Sequence, residues 1–221
     1  MNLDAARQRR AGVTAQVSRP GLFPVRRLLA VVLGLAIGGA ACAQADEARA
    51  RKIVSGVCFV CHGAEGESSS EMFPRLAGQH WEYTAKQLAN FKSGRRKGTA
   101  MGEMVAKLTP DEMEALGKYF EKMAVPKESA KEPDLAAVGR YIYHNGNKFS
   151  GVPACAGCHG PEALGTSSLP RLASQYAVYT EAQLKQFSTR ERNNDNAVMH
   201  TIVSKMTALE MAAVAQYLGG K

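Results

Sequence analysis

Large rings are scarce in this chain of 221 residues: Phe, Trp and Tyr make up 7%, with one tryptophan. So few aromatics leave a small domain little with which to fill its middle. Cysteine is sparse too, at five residues, which excludes a disulfide-dense mini-scaffold. Past residue 45 there is no apolar run of membrane-spanning length. What remains, 45% hydrophobic and 22% charged, is the composition of a globular protein of one or two domains rather than a disordered one.

The formal charge of +8 suggests a polyanion partner, but its distribution argues otherwise. Arg7, Arg9, Arg10, Arg19, Arg26 and Arg27 face a single acid, Asp4, ahead of an uncharged run of 18 residues from Leu28 to Ala45. A basic stretch, an apolar stretch and the small residues Ala43-Gln44-Ala45 read as a secretory signal peptide over residues 1–45. An uncleaved N-terminal membrane anchor is the competing reading. From residue 46 on, 22 basic residues face 19 acidic ones, a net +3. That bias is too small for nucleic-acid binding by counterion release. The expected place of work is the space outside the cytoplasmic membrane, with the membrane itself reached only through partners or an uncleaved N-terminus.

The remainder is written twice, at an offset near 97. Cys58-Phe59-Val60-Cys61-His62 returns as Cys155-Ala156-Gly157-Cys158-His159, and Pro74-Arg75-Leu76-Ala77 as Pro170-Arg171-Leu172-Ala173. Gln79, Tyr83-Thr84, Gln87-Leu88 and Phe91 return as Gln175, Tyr179-Thr180, Gln183-Leu184 and Phe187. Two periods predict tandem domains, 46–125 and 134–221, joined by the Pro- and charge-rich linker 126–133. Each half reads as all-α. Opening helices are expected over 46–57 and 134–144, middle helices over 80–93 and 176–189, and closing helices behind Thr109-Pro110-Asp111-Glu112 and the capping box Thr207-Ala208-Leu209-Glu210. Gly-rich loops, such as 63–70 and 94–102, lie between them. A core of that size is marginal unless a large apolar cofactor completes it.

On one helical turn, Cys58, Cys61 and His62 share a face. Two thiols a turn apart can add across the two vinyl groups of a haem, and the adjacent histidine then lies beneath the iron. Cys-x-x-Cys-His is the c-type haem attachment motif, and it is intact at both repeats: Cys58, Cys61 and His62, then Cys155, Cys158 and His159. Two covalent haem c groups follow. A zinc site would have to unite two Cys pairs 97 residues apart and leaves both histidines unexplained. A thioredoxin-like pair needs a βαβ setting that is missing, and disulfides within each motif would close loops too short to matter.

The second axial ligand decides what such an iron does. Met opposite His gives a filled coordination sphere and a raised potential, suited to electron transfer. Met101 and Met199 follow their histidines by 39 and 40 residues and precede the closing-helix caps by 8, each in irregular sequence. Met104 competes locally but corresponds to Ile202, while Met206, Met113 and Met211 read as packing and Met72 has no counterpart. His80, His144 and His200 lack repeat partners and read as surface or packing residues, with His200, beside Met199, the alternative ligand.

With these residues in view, the chain resembles the dihaem cytochromes c of the cytochrome c4 family over its whole length after residue 45. The resemblance rests on both Cys-x-x-Cys-His motifs, both Pro-Arg-Leu-Ala segments, the Tyr-Thr-x-x-Gln-Leu helices and the Met-to-cap spacing. It implies two class I cytochrome c domains about a pseudo-two-fold axis with neighbouring haems. It also implies that the carbonyls of Pro74 and Pro170 accept the ring N–H of His62 and His159. Family members are periplasmic carriers of single electrons between respiratory complexes, fed by a donor such as quinol–cytochrome c oxidoreductase and drained by a haem–copper terminal oxidase. The alternatives are the cytochrome subunit of a dehydrogenase complex, as in a flavocytochrome, and a dihaem peroxidase, which would need one iron with an open position. The stretch before Leu28 is longer than the family pattern.

Overall fold

A computed structural model describes residues 44–221. The expected leader lies outside the described residues except for its last two positions, where the first helix has begun. Among the described residues ten α-helices follow one another. Helix α1 (44–53) runs without a break through a π-helical turn, Val54–Cys58, into α2 (Phe59–His62). Then come α3 (Trp81–Lys92), α4 (Thr99–Val105) and α5 (Pro110–Glu121). The second half holds α6 (Pro133–Asn145), α7 (Ala156–His159), α8 (Ala177–Ser188), α9 (Val198–Val203) and α10 (Ala208–Gly219). Among the described residues the only β-pairing is one isolated bridge, Asn147 with Val152, at a hairpin ahead of Cys155. The fold is all-α, as two tandem cytochrome c domains should be.

Each half has its own core. In the first, Ala50 and Val54 pack on Ala115, Leu116, Tyr119 and Phe120 of α5, and α3 lies along α5. In the second, Ile142, Tyr143 and Val152 meet Phe187, Met211, Val214 and Leu218, where α6 crosses α10 and α8 runs beside it. Gly139 makes that crossing possible: a Cβ there would lie 1.9 Å from the Ala213 carbonyl oxygen. Both closing helices start on capping boxes. Thr109 Oγ1 accepts from Glu112 N–H at 3.2 Å and Thr207 Oγ1 from Glu210 N–H at 3.2 Å, while each glutamate reaches back to the cap's own N–H.

Two expectations need correcting. Met101 and Met199 do not sit in irregular chain but on the short helices α4 and α9, so the Gly-rich loop ends at Gly98. Helices of seven and six residues have no stability of their own in water and are held by tertiary packing, so no local signal announces them. The opening helix of the first half also runs on to His62 instead of stopping at 57.

The two halves meet through polar groups arranged in pairs. Gln79 donates through Nε2 to the Arg171 carbonyl at 3.0 Å and accepts through Oε1 from the Arg171 N–H at 2.9 Å. Gln175 does the same with the carbonyl and N–H of Arg75, both at 3.0 Å. Each amide thus treats the opposite backbone as a strand would, and the reciprocity gives the interface its pseudo-two-fold character. Arg75 adds a bond to the Ser174 carbonyl at 2.7 Å, stacks over the Tyr176 ring and pairs with Glu128 of the linker.

Candidate metal centres

Cys58 closes the π-helical turn, and Cys61 and His62 follow on α2. In the second half Cys155 precedes α7, which carries Cys158 and His159. All four are free thiols. Immediately after each histidine a glycine takes positive φ, Gly63 at 76° and Gly160 at 79°, conformations that side chains disfavour. The chain turns there and comes back under the ring. His62 Nδ1 lies 2.9 Å from the Pro74 carbonyl oxygen and His159 Nδ1 3.3 Å from that of Pro170. A carbonyl can only accept, so Nδ1 carries the proton and Nε2 keeps the lone pair. Both rings are buried, and that burial pushes their pKa below the ordinary histidine value, against a smaller opposing pull from the proline carbonyls. Neutral imidazoles with an oriented, unprotonated Nε2 are the form that ligates iron. Burial also raises the Cys58 thiol, and raises that of Cys155 to about 11.

The loop behind each motif is tied to its core by a tyrosine, but not by the same one. Tyr119 of α5 donates to the Ala64 carbonyl at 2.9 Å, whereas Tyr143 of α6 donates to the Gly160 carbonyl at 2.7 Å. Tyr217, the repeat counterpart of Tyr119, pairs with His144 Nε2 instead, at 2.9 Å. The remaining histidines are likewise engaged: His80 Nε2–H donates to the Leu164 carbonyl across the interface at 2.8 Å, and His200 Nδ1–H to that of Phe187 at 3.0 Å. Met101 and Met199 are both half-buried, Met199 against the second core. Met113, Met206 and Met211 are core residues, and Met72 and Met104 are exposed.

One group escaped the sequence reading. Arg96 and Arg192 stand in the loops ahead of α4 and α9 and are nearly buried, at 9% and 6% exposure. Their guanidiniums lie over the rings of Phe91 and Phe187. Their spacing of 96 residues was the available signal.

The residues present fit a haem in each half. The thiols are unpaired, each histidine is oriented by a carbonyl, and the buried hydroxyls of Thr84 and Thr180, at matching positions, have no partner. A tandem all-helical fold bearing this arrangement twice defines a dihaem c-type cytochrome.

A sequence model of the cytochrome c family matches residues 47–124 and 127–220. Cytochrome c4 of Thiocapsa roseopersicina is 43% identical over 182 residues, which cover 80% of this chain and 91% of that protein. The crystal structure of reduced recombinant cytochrome c4 from Pseudomonas stutzeri superposes with a TM-score of 0.74 at 32% identity, covering 80% of this chain and 97% of that one. A thiosulfate dehydrogenase electron acceptor of Thiomonas intermedia (strain K12) is 36% identical over 204 residues, 90% of this chain and 93% of that protein. The chain belongs to the cytochrome c4 family within the cytochromes c. It holds two covalently bound haem c groups and is a dihaem electron carrier.

Proposed function

We propose that the chain is exported by cleavage of residues 1–45 and works in the periplasm as domains 46–125 and 134–221 on the linker 126–133. There it carries single electrons between a donor, such as quinol–cytochrome c oxidoreductase, and a haem–copper terminal oxidase. Cys58 and Cys61 hold one haem by thioethers, Cys155 and Cys158 the other. His62 with Met101, and His159 with Met199, are the axial pairs. Haem c with His and Met ligands alternates between Fe(III) and Fe(II) at a raised potential and supplies the one-electron chemistry. The chain keeps each imidazole in the ligating tautomer through Pro74 or Pro170, and it joins the two centres through a hydrogen-bonded interface. The observation that carries this reading is the paired His–Pro contact, which supports the same ligand orientation in both halves. No helix among the described residues is long and apolar enough to cross a membrane.

A second reading has its own support: the Thiomonas intermedia relative, matched over nearly its whole length, is a thiosulfate dehydrogenase electron acceptor. On that reading the donor is a dehydrogenase and the chemistry of this chain is unchanged. Absorption spectra of the purified protein test the ligand set: two haems per chain by pyridine haemochrome, each with the weak near-infrared band of Met–iron(III). One such band with a high-spin signal would mean an open iron and refute the carrier. Stopped-flow reduction by a quinol-oxidising complex and by a thiosulfate-oxidising one ranks the two donors.

A further inference from the structure

Besides the crossed bonds of Arg96 to Tyr179 and of Arg192 to Tyr83, the seam sets the first half against the loop that follows the second Cys-x-x-Cys-His motif. His80 is the residue at which the chain enters α3. Its Nε2 lies 2.8 Å from the Leu164 carbonyl oxygen, and because a carbonyl can only accept, Nε2 carries the proton. The ring is framed by its own half. Nδ1 faces Glu121 Oε1 at 3.9 Å, and the same oxygen accepts from the Trp81 N–H at 3.2 Å.

Leu164 stands where this loop closes on the second motif's histidine. Just before it, the Ala163 carbonyl accepts from the N–H groups of Leu172 at 2.8 Å and Ala173 at 3.0 Å. Just after it, Gly165, at a φ of 68°, donates its N–H to the His159 carbonyl at 3.0 Å. A Cβ on Gly165 would lie 2.4 Å from the Pro170 carbonyl oxygen, the group that accepts from the His159 ring. The Leu164 side chain is 45% exposed, so core packing does not fix this point of the loop, whereas the bond from His80 does. Gln79, next to His80, grips both backbone groups of Arg171, the residue after Pro170. Two consecutive residues of the first half thus hold both stretches of chain between which the His159–Pro170 contact is made. In the opposite direction Gln175 grips Arg75, and Tyr176 reaches the Ser68 carbonyl at a longer 3.4 Å.

We propose that His80 is a positioning residue for the second haem, supplied by the first half: it fixes the loop that keeps His159 Nδ1 on the Pro170 carbonyl. The inference rests on His159 being an iron ligand. An imidazole that donates to a carbonyl is a more basic ligand and favours Fe(III). The His159 contact is the longer of the two, 3.3 Å against 2.9 Å for His62, so a released loop lengthens the weaker contact. The second potential then rises, while the first, whose loop His80 does not touch, stays where it was.

The test is potentiometric titration of the holoprotein with His80→Ala, His80→Gln and His80→Asn, the two midpoints being assigned with Met199→Ala, in which the second one falls. Outright loss of such an outer partner costs roughly 10–100-fold, and a loosened one should cost less: about threefold in the reduction equilibrium of the second haem, or about 28 mV for a one-electron couple. Glutamine can place an amide N–H where Nε2 stands and should restore the wild-type potential, whereas asparagine is too short and should behave as alanine does. A general weakening of the seam would not separate the two amides. All three variants should keep two haems and both Met–iron bands. An unchanged or lowered second potential in His80→Ala, an equal shift of both haems, or Gln and Asn variants that behave alike would overturn the proposal. A second haem without histidine ligation in the NMR spectrum of the wild type would instead overturn the ligand set on which it rests.

Discussion

Replacing Gln175 by alanine tests the interface at its most economical point. Among the described residues its side-chain amide is the sole partner of both the N–H and the carbonyl of Arg75, at 3.0 Å each, and its Oε1 also accepts from the Tyr176 N–H at 3.0 Å. Arg75 is 5% exposed, so water reaches the orphaned groups poorly. An unsatisfied buried group costs about 1–3 kcal/mol, and with two orphaned and partial hydration of the void the loss should be about 2–4 kcal/mol. For a protein of this size that corresponds to a drop in Tm of roughly 5–10 °C. The loss falls on the contact between halves and not on either core, since Gln175 lies in neither hydrophobic cluster. Calorimetry of the holoprotein should therefore show the transition lowered and broadened towards two components, and protease should cut the linker 126–133 faster. Adding Gln79→Ala should roughly double the loss, because its bonds to Arg171 are separate. A Gln175→Ala protein that melts within a degree of wild type, with its linker equally protected, would refute the idea that these amides hold the halves together.

Other outcomes follow from the same geometry. Met101→Ala and Met199→Ala should each abolish one near-infrared Met–iron band and lower one potential, while Met104→Ala, an exposed residue, should leave both bands in place. Gly139→Ala should cost about 2–4 kcal/mol in denaturant melts, because overpacking against the Ala213 backbone outweighs the gain of about 1 kcal/mol from helix propensity. Gly102→Ala, on α4 with nothing within 4 Å of the added carbon, should be neutral or stabilising by up to about 1 kcal/mol. The Glu210 carboxyl is held below its ordinary range, first by the Asn147 amide at 2.7 Å and then by the Thr207 N–H at 2.7 Å. Its contribution is complete above the unfolded value of about 4.3 and is lost as the pH falls through the lower folded value. Glu210→Gln should flatten the acid limb of the stability profile, and Thr207→Ala should cost about 1 kcal/mol at neutral pH.

Much of this molecule is readable from the chain because the determining interactions are local or repeated. The spacing of Cys58, Cys61 and His62 puts three groups on one turn, and Thr109 with Glu112 closes a cap across three residues. Repetition near 97 residues then doubles each signal, and the same residues gave the family, the all-α class and the haems. Met101 and Met199 stood out by the same repetition, although α4 and α9, too short to form alone, gave no sign of themselves.

Repetition also misleads where packing chose otherwise. Tyr119 and Tyr217 match in the chain, yet Tyr143 does for the second motif what Tyr119 does for the first. The crossed arginines belong wholly to the tertiary level. Arg96 meets Tyr179 across 83 positions and Arg192 meets Tyr83 across 109, and no periodicity links a side chain to an acceptor in the opposite half. The chain by itself determined which groups can hold haem, because covalent chemistry needs only residue type and spacing along a turn. Only the folded pair of halves decided what surrounds those groups, because burial and charge pairing depend on which surfaces exclude water together.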